Sequence, residues 1–482
     1  MKQLSSLDTQ FLAIEDRRRT GHVAGLAIHD PSTAPDGTLT CASMSKLLRE
    51  RMHLLPPLRW RLIEVPLGLD YPYWVEDDRF DLSYHVREAA LPAPGDDNQL
   101  AELVSRLHAR PLDRDRPLWE MYVISGLKNN YVAVYTKIHH AVIDGVSGAE
   151  ITGLLLDVSP ESRPLSPADP SVPERPPGSV ELWGRALAGI PRSSVRMLRS
   201  LPRALPNLEE TTFSTIPLVG RTSRMVGRVQ GLARRDRGRV TRRAMTAPRT
   251  SFNRRVSPHR RFAFGSLELQ RVKDVKNAYG VTVNDVVVSL CAGAVRRWLV
   301  DHNELPDEPL VVQIPVSVRT EDQAGTYGNR VLMMAAPLHT QLADPVERLK
   351  ATSASMSELK ERHRALPADL LSDVNHFIPP ALFSRAARAT FALATSSVGR
   401  PTWNLVVSNV PGPQFPLYCG GARLVANYPV SVITDGIGLN ITVMSYDGRV
   451  DIGIIVDREQ IRDVWSLLDG IDVSLAELEG AP

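Results

Sequence analysis

Residues 131–150 read YVAVYTKIHHAVIDGVSGAE: an apolar run ends in two adjacent histidines, and an aspartate and a glycine follow four and five residues after the second. In a strand, successive side chains point to opposite faces. Val132, Val134, Thr136, Ile138 and His140 therefore share one face, and Tyr131, Ala133, Tyr135, Lys137 and His139 the other. The first face is the more apolar, so His140 is expected to continue a buried face while His139 shares its side with Lys137. Asp144 and Gly145 fall in the following turn, ahead of a helix start where Ser147 and Glu150 have capping-box spacing. A strand end running into a turn is a place where the scaffold fixes a reactive side chain and the loop leaves it accessible.

Three chemistries fit such a pair. The histidines can be core side chains satisfied by backbone, with Asp144 capping a helix. They can bind a metal, but adjacent histidines on opposite strand faces cannot both reach one ion without distortion, so no metal is expected. Or His140 can act as a general base, since an imidazole with an unperturbed pKa of about 6.5 suits proton removal from a hydroxyl or amine. The residues alone leave the packing and base readings open. Other chemistries lack their signatures: there is no G-x-S-x-G elbow, no P-loop and no G-x-G-x-x-G fingerprint.

The elements that must position these residues belong to a chain of 482 residues, 43% hydrophobic, long enough for two domains. Residues 159–178 carry seven prolines without hydrophobic periodicity and read as an extended linker, so the first half is placed at 1–178. Residues 179–260 form a basic crossover region. Between residues 221 and 261, 14 arginines face one acid, Asp236, although the net charge of the chain is only +3. Within residues 179–205, Val180, Trp183 and Leu187 share a helical face flanked by arginines, which fits either basic helices on a membrane surface or helices packed on the protein itself. The second half is placed at 261–482. Helices are expected at 8–16, 98–112, 266–280 and 281–301, and strands at 118–127, 129–140, 308–319 and 404–413, with a strand pair around Asp447-Gly448. The mixture is α/β.

The longest apolar runs fall well short of the ~20 residues a membrane span needs, and the N-terminus lacks a signal-peptide core. A cytoplasmic protein without a transmembrane helix is expected, and three widely spaced cysteines suit a reducing compartment. Nucleic acid is not an expected partner, because the basic stretch has no groove-binding motif.

HHAVIDG matches the H-H-x-x-x-D-G signature of the CoA-dependent acyltransferases, and the chain more narrowly resembles the bacterial wax ester synthase/diacylglycerol acyltransferase family. The pieces that carry the resemblance run in family order: LSSLDTQFLAIED near the N-terminus, RPLWE at 116–120, FNRRVSPHRRFAF at 252–264, TVNDVVVSL at 282–290, PVSVR with GN at 315–329, and SNVPGP at 408–413. The resemblance implies two chloramphenicol-acetyltransferase-like α/β domains with an active-site channel between them. It also implies acyl transfer from acyl-CoA to diacylglycerol or a long-chain alcohol, with no resident cofactor. It makes His140 the general base, lets His139 shape either the loop or the other wall, gives Asp144 a charge-pairing role in the loop, and keeps the passage open at Gly145. It places Asn284, Asp285, Ser408 and Asn409 along the channel, although helix capping or turn closure would also explain those four. Peripheral association with a membrane or lipid droplet follows from so insoluble a substrate. Acyl transfer from a carrier-protein thioester or to a specialised alcohol, or lipid binding without catalysis, are the alternatives.

Overall fold

Two six-stranded sheets and one three-stranded sheet organise the computed structural model, which describes residues 1–142, 151, 153–165, 178, 181–184, 247–317, 331–364 and 401–481. The first large sheet contains β2 (His22–Asp30), β5 (Val86–Ala90), β6 (Trp119–Ser125), β7 (Val132–His139), β12 (Tyr418–Cys419) and β13 (Ala422–Val430), in the order β12-β13-β2-β7-β6-β5. The second contains β8 (Arg260–Glu268), β9 (Leu310–Ser317), β10 (Val331–Leu338), β11 (Leu405–Val410), β14 (Leu439–Tyr446) and β15 (Arg449–Asp457), in the order β10-β9-β11-β14-β15-β8. The small sheet joins β1 (Lys2–Gln3), β3 (Trp60–Ile63) and β4 (Tyr73–Glu76). The α/β class and the two comparable halves are as the sequence implies.

Residues 418–430 depart from the expected division at 261. They leave the second half and extend the first sheet, with β13 antiparallel to β2. The crossing is tight. A Cβ on Gly453 would sit 1.7 Å from the Pro429 carbonyl oxygen, so only glycine lets β13 pass over β15. Where the halves meet, Leu26, Tyr135, Ala426 and Val430 of the first sheet pack with Phe262, Phe264 and Ile455 of the second and with Leu100, Val104 and Leu107 of the Asp97–His108 helix.

Local signals explain most of the elements. The Val283–Asp301 helix starts at Thr282, whose hydroxyl accepts from the Asp285 amide while the Asp285 carboxylate accepts from the Thr282 amide. Gly280, at φ +66, closes the Leu269–Tyr279 helix in the left-handed conformation. Residues 266–268, expected in that helix, instead finish β8. Asp447 (φ 40) and Gly448 (φ 78) turn β14 into β15. Trp119 is buried, stacks on His85 and donates its indole N–H to Leu58 O at 2.8 Å, which fixes the start of β6. Phe252 and Asn253 of the FNRR stretch are anchors. Phe252 is fully buried, and the Asn253 amide donates to the carbonyls of Asn404 and Gly436 and accepts from the Asn404 amide.

Candidate active site

The histidine pair lies at the end of β7, the third-from-last strand of the first sheet, where β2 runs alongside and pairs His22 with His139. Beyond it Val142 N–H bonds back to His139 O, starting a turn. The burial of the two histidines reverses the expectation. Lys137 and His139 are 0% and 1% exposed, whereas His140 is only partly buried. The reason is that both faces of β7 are covered. Val132, Val134 and Ile138 meet the core of the first half, while Ala133 and Tyr135 meet the Asp97–His108 helix and the second sheet. Lys137 tolerates this burial through Glu120 Oε2 at 3.2 Å and the carbonyls of Arg110 and Leu107 at 3.0 and 3.2 Å.

The same face carries a run of buried rings. His22 donates through Nε2 to His108 O at 2.7 Å. His108 Nε2 lies 3.0 Å from Ser431 O and Nδ1 2.9 Å from the Tyr135 hydroxyl. A carbonyl can only accept, so His108 carries its proton on Nε2 and takes the tyrosine proton at Nδ1. Burial, with Arg260 and Lys137 adding repulsion, pushes His108 down to about 3. These rings are neutral structural links between the Asp97–His108 helix and the first sheet.

His139 is held by three groups. Its Nδ1 accepts the Ala141 N–H at 3.0 Å, so the ring proton sits on Nε2. Nε2 faces Glu15 Oε2 at 3.6 Å, beyond hydrogen-bond length, and the attraction is electrostatic. Gly21 lies against the ring edge: a Cβ there would come within 2.6 Å of Nε2 and 3.2 Å of Phe11 O. Glu15 itself is nearly buried. Its Oε1 accepts the Gly21 N–H at 3.0 Å, and its Oε2 accepts from Arg114 Nη2 at 2.9 Å. Burial alone would raise the Glu15 carboxyl, but His139, the Gly21 amide and the Arg114 guanidinium outweigh it and hold it at about 2.

His140 is positioned from the same segment. Its backbone N–H donates to Gly21 O at 2.8 Å, and its ring stacks on Phe11 with centroids 4.0 Å apart and planes 11° from parallel. Phe11 belongs to the Ser6–Ile14 helix, started by a Ser5–Asp8 capping box. The LSSLDTQFLAIED stretch therefore supplies one wall of the site through Phe11 and Glu15. Neither residue was singled out from sequence, since a phenylalanine and a glutamate on an amphipathic helix carry no signal of what they face.

The remaining candidates separate into groups. Asp144 and Gly145 lie outside the described residues, as do Ser147 and Glu150. Asn284 and Asn409 meet, the Asn409 amide donating to Asn284 Oδ1 at 3.3 Å, which pins the start of the Val283–Asp301 helix to β11. Asp285 turns away. It is 2% exposed, accepts from Ser353 Oγ at 3.1 Å, and its Oδ1 has no hydrogen-bond partner among the described residues. Ser408 points to the face of β11 opposite Asn409, in register with Thr442 on β14. Among the described residues no group of three or more His, Cys, Asp or Glu is arranged to hold a metal ion.

The fold of two coupled α/β halves is shared with solved structures. A wax ester synthase/diacylglycerol acyltransferase from Marinobacter aquaeolei VT8 superposes with a TM-score of 0.70 at 33% identity, over 99% of each chain. The first condensation domain of the CDA synthetase shares the fold at 17% identity, with a TM-score of 0.56 over 100% of this chain and 97% of that one. By sequence, an O-acyltransferase of Acinetobacter baylyi is 33% identical over 100% of this chain and 97% of its own. A Mycobacterium tuberculosis relative provisionally named a diacylglycerol O-acyltransferase is 36% identical over 99% of this chain and 90% of its own. The wax ester synthase/diacylglycerol acyltransferase catalytic domain matches residues 4–287, and the C-terminal domain of the same family matches residues 327–479. The chain belongs to this family and is an acyltransferase.

Proposed function

We propose that the chain transfers a fatty acyl group from acyl-CoA to the hydroxyl of diacylglycerol or of a long-chain alcohol, with His140 as general base. The observation that carries this reading is the contrast within the pair: His139 is locked inside the protein, while His140 is presented at the turn with its ring braced on Phe11. His140 takes the acceptor proton as the hydroxyl oxygen attacks the thioester carbonyl. The tetrahedral oxyanion then collapses, the C–S bond breaks, and the imidazolium returns the proton to the departing CoA thiolate. No acyl-enzyme and no resident cofactor are needed. The resemblance gives Asp144 a charge-pairing role and Gly145 the part of a small residue beside the base; both lie outside the described residues. Asn284 is assigned to the acceptor passage, and the contact from Asn409 sets where Asn284 stands.

Substrates of this kind are collected at a lipid surface. Val65, Tyr73 and Leu182 form a small apolar cluster of their own, and beside it Leu67 is 78% exposed and Trp183 40% exposed. Leu67 has φ 58, a left-handed conformation that a leucine with its side chain in water gains nothing from locally. The chain that follows Trp183 carries Arg185, Arg192, Arg196, Arg199 and Arg203. Apolar tips beside basic residues suit an anionic lipid interface. Among the described residues no single helix is long and apolar enough to cross a membrane; the Leu269–Tyr279 and Val283–Asp301 pair is bent by 102° and contributes to the core of the second half.

One experiment tests donor, acceptor and surface together. Thiol release from palmitoyl-CoA is followed with diolein or hexadecanol presented in neutral or anionic vesicles, the products are separated by thin-layer chromatography, and bound protein is measured by flotation. Acceptor-dependent release, ester product and flotation with anionic vesicles are expected. Release only from a phosphopantetheine carrier thioester would overturn the donor, and an absence of flotation on both vesicles would overturn the surface.

A further inference from the structure

The seven residues 15–21 connect the Ser6–Ile14 helix to β2, and besides the bonds within the segment and the Glu15–Arg114 pair their polar links reach the histidine turn and the chain beyond residue 255. The segment's first and last residues are Glu15, facing His139, and Gly21, whose carbonyl holds the His140 amide. In the middle, Asp16 closes a tight turn. Its Oδ1 accepts the amides of Arg18 and Arg19 at 2.8 and 3.0 Å, and its own N–H donates to Arg19 O at 2.9 Å. Arg19, 7% exposed, then reaches Asp435 Oδ2 at 3.4 Å, while Asp435 Oδ1 accepts the Val256 amide at 2.9 Å. Arg18 Nη1 donates to Val256 O at 3.3 Å, and Arg18 O accepts from the buried Arg260. Asp435 lies in the second half, and Val256 and Arg260 in the last residues of the crossover that lead into it, so the segment is a strap between that part of the chain and the turn.

We infer that Glu15 is a positioning residue for acyl transfer: its carboxylate keeps the His139 proton on Nε2, which frees Nδ1 to hold the Ala141 amide and so sets the turn that presents His140. The inference rests on the reading of His140 as base. Each link in it is a contact. The carboxylate and Arg114 lie on one side of the ring, Gly21 leaves just enough room for the ring to sit there, and the Ala141 N–H is the residue immediately after His140. If the Glu15 charge goes, the proton on Nε2 loses its counter-charge, and the ring is at liberty to protonate Nδ1, which expels the Ala141 amide and shifts the turn. A carboxylate that fixes an imidazole tautomer in this way does not touch substrate. Its effect belongs in kcat, because the base moves relative to the acceptor while the binding surfaces stay.

Glu15→Gln and Glu15→Asp are compared with the parent and with His140→Ala. Glu15→Gln is expected to lower kcat by about 10-fold to 100-fold with KM for the acyl donor within about twofold, as expected for a misplacement of the order of 1 Å. Glu15→Asp, which keeps the charge, is expected to recover most of the loss. Nitrogen-15 NMR of the histidine rings is expected to show one ring, assigned by its disappearance in His139→Gln, protonated at Nε2 in the parent and in mixed tautomers in Glu15→Gln. An Asp435→Asn variant, which loosens the far anchor, is expected to lower kcat less than Glu15→Gln does. Parent-like kcat in Glu15→Gln while His140→Ala is inactive would overturn the role of Glu15 alone, as would a His139 tautomer unchanged by Glu15→Gln. Full activity in His140→Ala would instead overturn the base reading on which it rests. If Glu15→Gln does not fold, Glu15→Asp decides: an unchanged His139 tautomer with kcat reduced as far as in His140→Ala would contradict the inference.

Discussion

The two halves each place polar side chains at a strand end, and they hold them by different means. At the end of β7 the histidine turn is held by an ionised carboxylate, two arginines, a carbonyl, a backbone amide and a stacked ring. At the end of β11 the corresponding corner rests on a neutral amide contact, Asn409 to Asn284, and on a helix cap that buries the Asp285 carboxylate with no arginine against it among the described residues. A group that must exchange a proton needs its tautomer and direction fixed, and charges fix both. Groups that only shape a passage need position, and a neutral hydrogen bond such as that from Asn409 to Asn284 gives it without adding a buried charge.

The largest effect that would sharpen this contrast is expected at Gly21. In Gly21→Ala the added methyl meets His139 Nε2 at 2.6 Å, so the ring or the strap has to move. A fall in kcat of about 10²-fold is expected, in line with displacing a reacting group by about 1 Å. Activity within twofold of the parent, measured by thiol release, would show that the turn does not depend on this contact.

Acid should act on the first half next. His29 and His108 are buried neutral, at about 4 and about 3 against an ordinary 6.5, because burial disfavours their charged forms. Below 6.5 the unfolded chain takes up protons that the folded protein refuses. Stability is therefore complete above about pH 6.5 and drains as pH falls toward 3, by up to about 1.4 kcal/mol per pH unit for each group. Glu15 adds the carboxylate case, with stability present above its ordinary 4.5 and lost as pH falls toward 2. A melting temperature that falls steadily between pH 6.5 and 4.5 is expected; a flat profile would mean that these rings are not held neutral.

The smallest effect belongs to the second half. Asn409→Ala removes one neutral contact, and a loss of about 1 kcal/mol of stability with a few-fold change in activity is expected. A loss as large as that of Gly21→Ala would erase the distinction between the two corners.

Much of this arrangement was legible in the chain. The period of two separated His139 from His140, the Thr282–Asp285 box and Gly280 marked helix ends, and Asp447-Gly448 marked a hairpin, because each is a local signal with a local cause. What was not legible depends on distant partners. The face of β7 bearing Lys137 and His139 looked the more open, since alternation cannot show that a second sheet and a helix cover it. The transfer of residues 418–430 to the first sheet has no sequence mark, and Pro429 within β13 even argues against a strand. Strand alternation puts Ser408 and Asn409 on opposite faces of β11, and Asp285 faces the Pro345–Arg364 helix through Ser353, a contact with no local mark in the sequence. Glu15 and Arg114 lie 99 residues apart, and only folding brings them together at His139.

The most direct measurement is single-turnover acyl transfer by the full chain and by His140→Ala, each saturated with palmitoyl-CoA and with the acceptor that the parent prefers. A general base at His140 predicts a rate lower by about 10²-fold or more in the variant, with donor affinity unchanged. An equal rate in the two proteins would contradict the account at its centre.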